Sequence, residues 1–538
     1  MKTGIKIISV MLISAITSVE AISQQKTLNI IPKPAKAVIE KGEFRLTKRS
    51  VIVTSSDDPE FKNIVRPIQD YLQNICNKSP LTLKRSGKPS RGSIFLKLDS
   101  ESGIQKEGYK LNVMKKGVVI EASDFAGLFY GVQSLLQMIP VKNYGESVIK
   151  ISCATIEDAP RFSWRGLHLD VCRHFMPKEF VLKYIDYMSM YKFNTFHFHL
   201  TDDQGWRIEI EKYPDLVNIG SVRSETRIGK SDKFDGTEHR GYFTKEEIRE
   251  IVKYAAERYI TVVPEIEMPG HASAALTSYP ELGCTGGPYK VQTKWGVFDE
   301  VFCAGKESTF KFLQDVIDEV VELFPSKFIH VGGDECPKSS WKSCPLCQQR
   351  IKDEGLSDEH QLQSWFVTRM EKYINEKGRK IIGWDEILEG GLAPNAAVMS
   401  WRGVAGGIEA AKARHYVVMS PGTHCYFDHY QADAASQPLA IGGFTPLEKV
   451  YGYEPVPEEL TSEESKFIMG AQANVWTEYI LSPEHVEYMV YPRAAALSEV
   501  VWTPKKGREY SDFKRRVTTH TEIYKKIGIN YCKSEFEK

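Results

Sequence analysis

From Phe162 onward, apolar runs of three to six residues alternate with longer stretches in which apolar positions recur every three or four residues. The runs are Gly166–Val171, Thr195–Leu200, Ile260–Pro264, Phe328–Val331, Lys380–Gly383, Ala397–Met399, Tyr416–Met419 and Phe467–Ala471. Each suits a buried strand, and the stretches between them suit amphipathic helices. Phe180, Val181, Tyr184, Ile185 and Met188 share one helical face, as do Phe310, Leu313, Ile317, Val320, Val321 and Phe324. Thr244, with Glu247 three residues on, reads as a capping box opening a helix that carries Ile248, Ile251, Val252 and Ala255 on one side. Eight strands alternating with helices over about 350 residues predict an α/β chain built on a (β/α)8 TIM barrel, spanning 160–510. The alternative is an open doubly wound sheet, but no Gly-rich dinucleotide fingerprint follows any of the strands.

Upstream, residues 26–155 show a different order. Strand-like runs at Ser50–Thr54, Ser93–Lys97, Tyr109–Val113 and Gly117–Glu121 precede an apolar, helix-like segment at Phe125–Ile139. That order predicts a small α+β domain ahead of the barrel, with no catalytic constellation of its own. Residues 511–538 read as a helical segment packing on the barrel. Lys2 and Lys6, the apolar run Ile7–Val19 and the small residue Ala21 predict a secretory signal over 1–21, hence a periplasmic or extracellular protein. No later stretch reads as transmembrane, so stable membrane insertion is not expected.

Composition narrows the classes. Seventy basic and seventy acidic side chains leave the 538-residue chain with no net charge. That argues against a nucleic-acid partner, which wants a basic excess or stripe, and against a polybasic membrane surface. Disorder, collagen and coiled coil do not fit a chain that is 42% hydrophobic and 26% charged. Ten cysteines in an exported chain can pair. Cys284 and Cys303 bracket a Gly- and Pro-rich loop, and a disulfide between them is predicted. Cys336, Cys344 and Cys347 crowd into CPKSSWKSCPLC. The last two have zinc-like spacing, but one C-x-x-C without a second pair is a weak signal, and a local disulfide or free thiols is the preferred reading.

In a barrel of this kind the C-terminal strand ends converge on the site. The residues that follow the eight runs are Arg173 and His174; Asp202, Asp203 and Trp206; Glu265, Glu267 and His271; Asp334 and Glu335; Trp384, Asp385 and Glu386; Trp401 and Arg402; Tyr426 and Asp428; and Trp476 and Glu478. Aromatic faces suit the C–H face of a sugar, and Arg, Asp and Glu suit its hydroxyls. A phosphate would want a Gly-rich nest and basic groups. His197 and His199 alternate on one strand, but no third His stands at an adjacent end, so no metal and no cofactor are expected. Asp334 and Glu335 are neighbours, and neighbouring side chains at a strand end point in different directions. They are ill placed to act as acid and nucleophile across one glycosidic bond. They suit another division: one protonates the leaving oxygen, and the other orients and charge-balances a substrate group that itself attacks the anomeric carbon.

HVGGDE, together with DVCRHF, HLTDDQGW, PEIEMPGH and NVWTE, resembles the β-N-acetylhexosaminidases of glycoside hydrolase family 20, over most of the chain. The resemblance implies an exo-acting, retaining enzyme that removes terminal β-linked GlcNAc or GalNAc. Its partners would be N-acetylhexosamine-terminated oligosaccharides or glycoconjugates. The 2-acetamido oxygen would attack C1 and form an oxazolinium, later opened by water. Position by position, Glu335 matches the general acid/base, Asp334 the carboxylate on the acetamido group, and Tyr426 the hydroxyl on its oxygen. Trp384, Trp401 and Trp476 match the aromatic walls. Arg173 and Glu478 match the clamp on the O3, O4 and O6 side, Asp202 and His271 the polar pair supporting the acid/base, and Asp428 a residue at the sugar rim.

Physical expectations follow from these roles. Glu335 must be protonated to act as an acid, so a raised pKa is expected. Asp334 must be ionised when the cationic ring forms. Glu265 and Glu267 read equally well as structural partners of loop amides and stay outside the predicted site, and Arg402 reads as a surface or interstrand ion pair. The insertion between Trp206 and Thr244 is expected to shape one wall. The short remainder beyond Trp502 leaves selectivity to the barrel. Two rivals remain: a two-carboxylate retaining glycosidase with a covalent intermediate, and a non-catalytic glycan-binding barrel. Preference for GlcNAc or GalNAc and the oligomeric state are not readable from the sequence.

Overall fold

A computed structural model describes residues 28–85 and 87–536. The predicted signal segment lies outside the described residues. Eight parallel strands close into a barrel: Trp164–Asp170, Thr195–His199, Thr261–Glu265, Phe328–His330, Lys380–Trp384, Ala397–Ser400, Val417–Met419 and Ile468–Ala473. The last pairs with the first, Ala473 opposite Leu167, so no edge is left open. The TIM barrel predicted from the alternation is therefore present, strand for strand.

The helices form for the reasons the pattern suggests. Lys178–Met190 buries Phe180, Val181, Tyr184, Ile185 and Met188, and Glu307–Leu323 buries Phe310, Leu313, Ile317 and Val320. Thr244 caps Lys245–Ala256: its side chain accepts from the Glu247 amide while the Glu247 carboxylate accepts from the Thr244 amide. A capping box of this kind contributes about 1 kcal/mol.

The N-terminal unit is a seven-stranded mixed sheet. It runs, edge to edge, Lys36–Leu46, Ile149–Asp158, Tyr109–Met114, Gly117–Ala122, Ser93–Leu98, Val51–Thr54 and Thr82–Lys84. Helices Phe61–Asp70 and Phe125–Gln137 are part of the same apolar core. The two edge strands and Ile149–Asp158 escape the sequence pattern: Lys36–Leu46 is mostly exposed and shows no clean alternation.

A buried polar joint ties this unit to the barrel. Trp502, the last residue of helix Arg493–Trp502, is fully buried in the core of the N-terminal sheet. Its indole donates to Asp158 Oδ2 at 3.0 Å, and Lys192 Nζ lies 3.3 Å from the same oxygen. Burial pushes the Lys192 amine down to about 8, although Asp158 opposes this. The helix Tyr510–Ile527 covers the other side, burying Phe513, Val517 and Tyr524, and Arg516 pairs with Glu499 at 2.7 Å. No described helix is long and apolar enough to cross a membrane.

Candidate active site

The site begins with an aspartate that the sequence does not flag. Asp170 ends the first strand and is buried. Its Oδ1 accepts from the amides of Cys172 (2.7 Å) and Arg173 (3.2 Å), while Oδ2 accepts from the Thr477 amide (3.0 Å) and hydroxyl (2.9 Å). The first and eighth strand ends are thereby joined, and Arg173 is aimed inward. Its guanidinium pairs with Asp202 at 2.8 Å and Glu478 at 3.9 Å, and lies 5.1 Å over the Trp476 ring.

After the fourth strand the chain turns sharply through Gly332 and Gly333, at φ +63° and +93°. A Cβ on Gly332 would stand 1.7 Å from Glu267 Oε2. The glycine is required both for the backbone angle and for the close approach of that carboxyl. Glu335 and His271 also sit at positive φ, +46° and +47°. Such angles are uncommon outside glycine, cost roughly 1–3 kcal/mol each, and cluster at functional sites.

These turns face a cavity of about 520 Å³ at the barrel mouth. Of the predicted site residues, Arg173, His271, Asp334, Glu335 and Trp384 line it, as do Trp401, Tyr426, Asp428, Trp476 and Glu478. Trp384 forms the floor, buried, its indole donating to Glu265 Oε1 at 2.8 Å. Trp401 donates to Glu386 Oε2 at 2.9 Å and stacks on Tyr426, centroids 6.0 Å apart and planes 23° from parallel. Trp384 and Trp476 meet at 5.6 Å and 47°. Against this aromatic box stands Asp334, whose buried Oδ1 has no hydrogen-bond partner. Asp428 Oδ1 is likewise unpartnered, and burial, then the charge of Glu478, pushes its carboxyl well up. Burial also raises Glu478, against the pull of Arg173.

His271 links the two neighbouring acids. Its Nε2 lies 3.6 Å from Asp334 Oδ2 and 3.7 Å from Glu335 Oε2. Burial works against its charge, but Asp202 and Asp334 outweigh it and raise the imidazole well above its usual range. The expected raised pKa of Glu335 is not found. The neighbouring His271, 3.7 Å away, holds it below the usual carboxylate value, against desolvation. The sequence supplies the carboxyl but not its surroundings: the imidazole is cationic, and the Glu335 side chain is 42% exposed, so burial is the weaker influence.

Asp202 is not at the cavity surface. It lies behind, bridging Arg173 and His199 Nε2 (2.8 Å), with its Oδ1 3.4 Å from His271 Nδ1. The closer partner of His271 is Asp203, at 2.9 Å, which also accepts from the amide and hydroxyl of Ser273. Sequence reasoning missed this, although the two acids are adjacent. It also set Glu267 aside. That carboxyl is fully buried with neither oxygen hydrogen-bonded, and burial together with the charge of Asp334 pushes it well up. Glu265 takes a different part. It accepts from Trp384, pairs with His197 (3.1 Å) and His330 (2.9 Å), and contacts His199. His197, His199 and Glu265 fall within groups spaced to hold an ion, but these donors are engaged with one another. Arg402 pairs with Asp385 at 2.6 Å and Glu389 at 2.7 Å. Trp295, Val297 and Tyr479 complete the rim and carried no sequence signal. The predicted Cys284–Cys303 disulfide is absent: both thiols are free, and each instead lies near a sulfur of another loop, Cys347, at 3.8 and 3.6 Å.

Comparison with known proteins agrees with this architecture. Residues 162–505 match the model of the glycosyl hydrolase family 20 catalytic domain, and residues 27–159 match domain 2 of the same family. A β-hexosaminidase of Porphyromonas gingivalis is 46% identical over 94% of this chain, which spans 64% of that relative's length. One from Vibrio furnissii is 36% identical, covering 88% of this chain and 76% of its own. The exo-β-N-acetylglucosaminidase of Vibrio harveyi, solved with N-acetylglucosamine, superposes with a TM-score of 0.84 at 30% identity, over 95% of this chain and 79% of that one. The β-N-acetylhexosaminidase of Bacteroides fragilis gives 0.81 at 32% identity, over 95% and 98%. With both domains matched in order and the barrel mouth carrying the family's motifs, this chain belongs to glycosyl hydrolase family 20.

Proposed function

We propose that this chain is an exo-acting, retaining β-N-acetylhexosaminidase that uses the substrate's own acetamido group as nucleophile. The observation that carries the reading is the orphaned Asp334 Oδ1, a buried acceptor set against a box of Trp384, Trp401, Tyr426 and Trp476. An unpaired buried carboxylate oxygen is costly, and an amide N–H is the donor that a neighbouring aromatic box for a methyl group selects. The acetamide N–H then donates to Asp334, and the Tyr426 hydroxyl donates to the acetamide oxygen. That oxygen is turned toward C1.

The steps balance with these residues alone. The acetamide oxygen bonds to C1 as the glycosidic C–O bond breaks, and Glu335 gives its proton to the departing oxygen. The oxazolinium carries positive charge, which the Asp334 carboxylate stabilises. Water then attacks C1 from the vacated side as the bond from C1 to the oxazolinium oxygen breaks and the acetamide is restored; the water loses its proton to Glu335, and configuration is retained. The cationic His271 suits this cycle because it favours the carboxylate that Glu335 becomes after donating. The upward push on the Glu267 carboxyl, from burial and then from Asp334, disfavours a second negative charge beside Asp334. Arg173 and Glu478 offer charged hydrogen-bonding groups for the hydroxyls of one sugar, and the buried Trp384 floor leaves no path for a chain to continue, which supports exo action. Substrates would be oligosaccharides or glycoconjugates ending in N-acetylhexosamine.

A matched pair of aryl glycosides, one with and one without the N-acetyl group, tests the reading. Turnover of the acetylated donor and tight competitive inhibition by a thiazoline analogue of the oxazolinium are expected. Equal hydrolysis of a glucosamine donor, or a glycosyl adduct trapped on a protein carboxylate, would favour the two-carboxylate rival. The basic–apolar start of the sequence is the ground for proposing export to the periplasm or beyond, which N-terminal sequencing of the mature protein checks.

A further inference from the structure

Four cysteines from two separate loops converge beside the site. Cys284 and Cys303 belong to the loop after the third barrel strand, where an antiparallel bridge between Gly283 and Phe302 sets them side by side. Cys344 and Cys347 belong to the loop after the fourth strand, at the N-cap and in the first turn of helix Pro345–Asp353. The Sγ atoms of Cys284 and Cys347 are 3.8 Å apart, those of Cys303 and Cys344 3.8 Å, and those of Cys303 and Cys347 3.6 Å. All four sulfurs lie within 4.8 Å of one another.

This spacing distinguishes two readings. A disulfide needs sulfurs about 2.05 Å apart, and none of the four is bonded. Four thiolates around a tetrahedral zinc at about 2.3 Å have edges of about 3.8 Å. We propose that Cys284, Cys303, Cys344 and Cys347 form a tetrathiolate site for a structural zinc ion.

The surroundings fit the charge that such a site carries. The Gly305 amide donates to the Cys303 sulfur. The N-terminus of helix Pro345–Asp353 adds free amides and a positive dipole end. Close seating of the two loops is built in: a Cβ on Gly305 would stand 2.3 Å from the carbonyl carbon of Leu346 and 2.6 Å from the Cys347 amide nitrogen. The Trp341 indole donates across the same seam to the Phe302 carbonyl at 2.9 Å. Closed four-sulfur coordination leaves no open position, so the ion has a structural role. It clips the loop that carries His271 and Trp295 to the loop that carries Asp334 and Glu335.

Metal analysis of the full chain, purified without chelator, tests this. About one zinc per chain is expected, with X-ray absorption showing a shell of four sulfurs. Cys344→Ser and Cys347→Ser should each lower zinc content at least tenfold, while Cys76→Ser, in the N-terminal domain, should leave it unchanged. Chelation of the wild-type chain should lower Tm, and zinc should restore it, a readout that stands even if the serine variants fold poorly. Less than about 0.1 zinc per chain, both as purified and after reduction and zinc refilling, would overturn the site. So would peptide mapping that finds Cys284 and Cys303 bonded to Cys347 and Cys344 as disulfides.

Discussion

Replacing Asp334 with asparagine removes one negative charge and little else in volume. The carboxylate stands where the oxazolinium would form, with Oδ1 buried and unpaired and Oδ2 3.6 Å from His271 Nε2. Opposite charges about 4 Å apart at an effective dielectric near 20 interact by about 4 kcal/mol. The asparagine oxygen still accepts from the acetamide N–H, so part of the interaction survives, and about 2–4 kcal/mol is lost only when the cation develops. That corresponds to a fall in kcat of roughly 30- to 1000-fold. KM should move by no more than a few-fold, since ground-state contacts are kept. The assay is steady-state hydrolysis of a 4-nitrophenyl β-N-acetylglucosaminide, with Tm measured to confirm folding. Thiazoline affinity should fall in parallel with kcat, while affinity for the product sugar stays near wild type. A variant with kcat within about threefold of wild type, or one whose whole loss lies in KM, would refute the assignment of Asp334 to the charged intermediate.

Glu335→Gln should slow poor leaving groups far more than activated aryl ones, because only the former need its proton; equal losses on both would remove Glu335 from the acid role. The pH dependence follows from its surroundings. The acid works protonated, and in the free enzyme its pKa is depressed, so kcat/KM should fall as pH rises through that low value. A bound sugar strips water from the carboxyl and raises its pKa, so kcat should persist to higher pH, and coincident limbs would count against this. His271→Gln removes the cation and should shift the basic limb of kcat/KM upward; an unmoved limb would show that His271 does not set the Glu335 pKa. Gly332→Ala should abolish activity and lower Tm, since its Cβ would fall 1.7 Å from Glu267 Oε2; a wild-type Tm would show that the Gly332 turn relaxes without cost.

How much of this was legible depends on how local each signal is. Barrel strands announce themselves because each is a short apolar run bounded by polar loops, and the cavity-lining aromatics and acids sit directly after them. Lys36–Leu46 was hidden because most of this edge strand is exposed and only Phe44 and Leu46, at its end, reach the core. Asp203 and Asp202 are adjacent, and only three-dimensional placement decides which of the two lies closer to His271. Glu267 looks like any strand-end acid until Gly332 and Asp334 are seen against it. The cysteine cluster was unreadable for a related reason. Its C-x-x-C is local, but the other two sulfurs come from a different loop, Cys303 being 41 residues before Cys344. No linear spacing expresses that meeting.

The joint around Asp158 bears on how such enzymes can be recombined. Asp158 belongs to the N-terminal sheet, while Lys192 and Trp502, which depend on it, belong to the barrel. A gene fusion or truncation that carried the barrel elsewhere alone would leave an ammonium without its counter-ion and a large indole facing solvent. The front sheet is therefore part of what keeps this face of the barrel folded, and moving the barrel without it would carry an energetic cost.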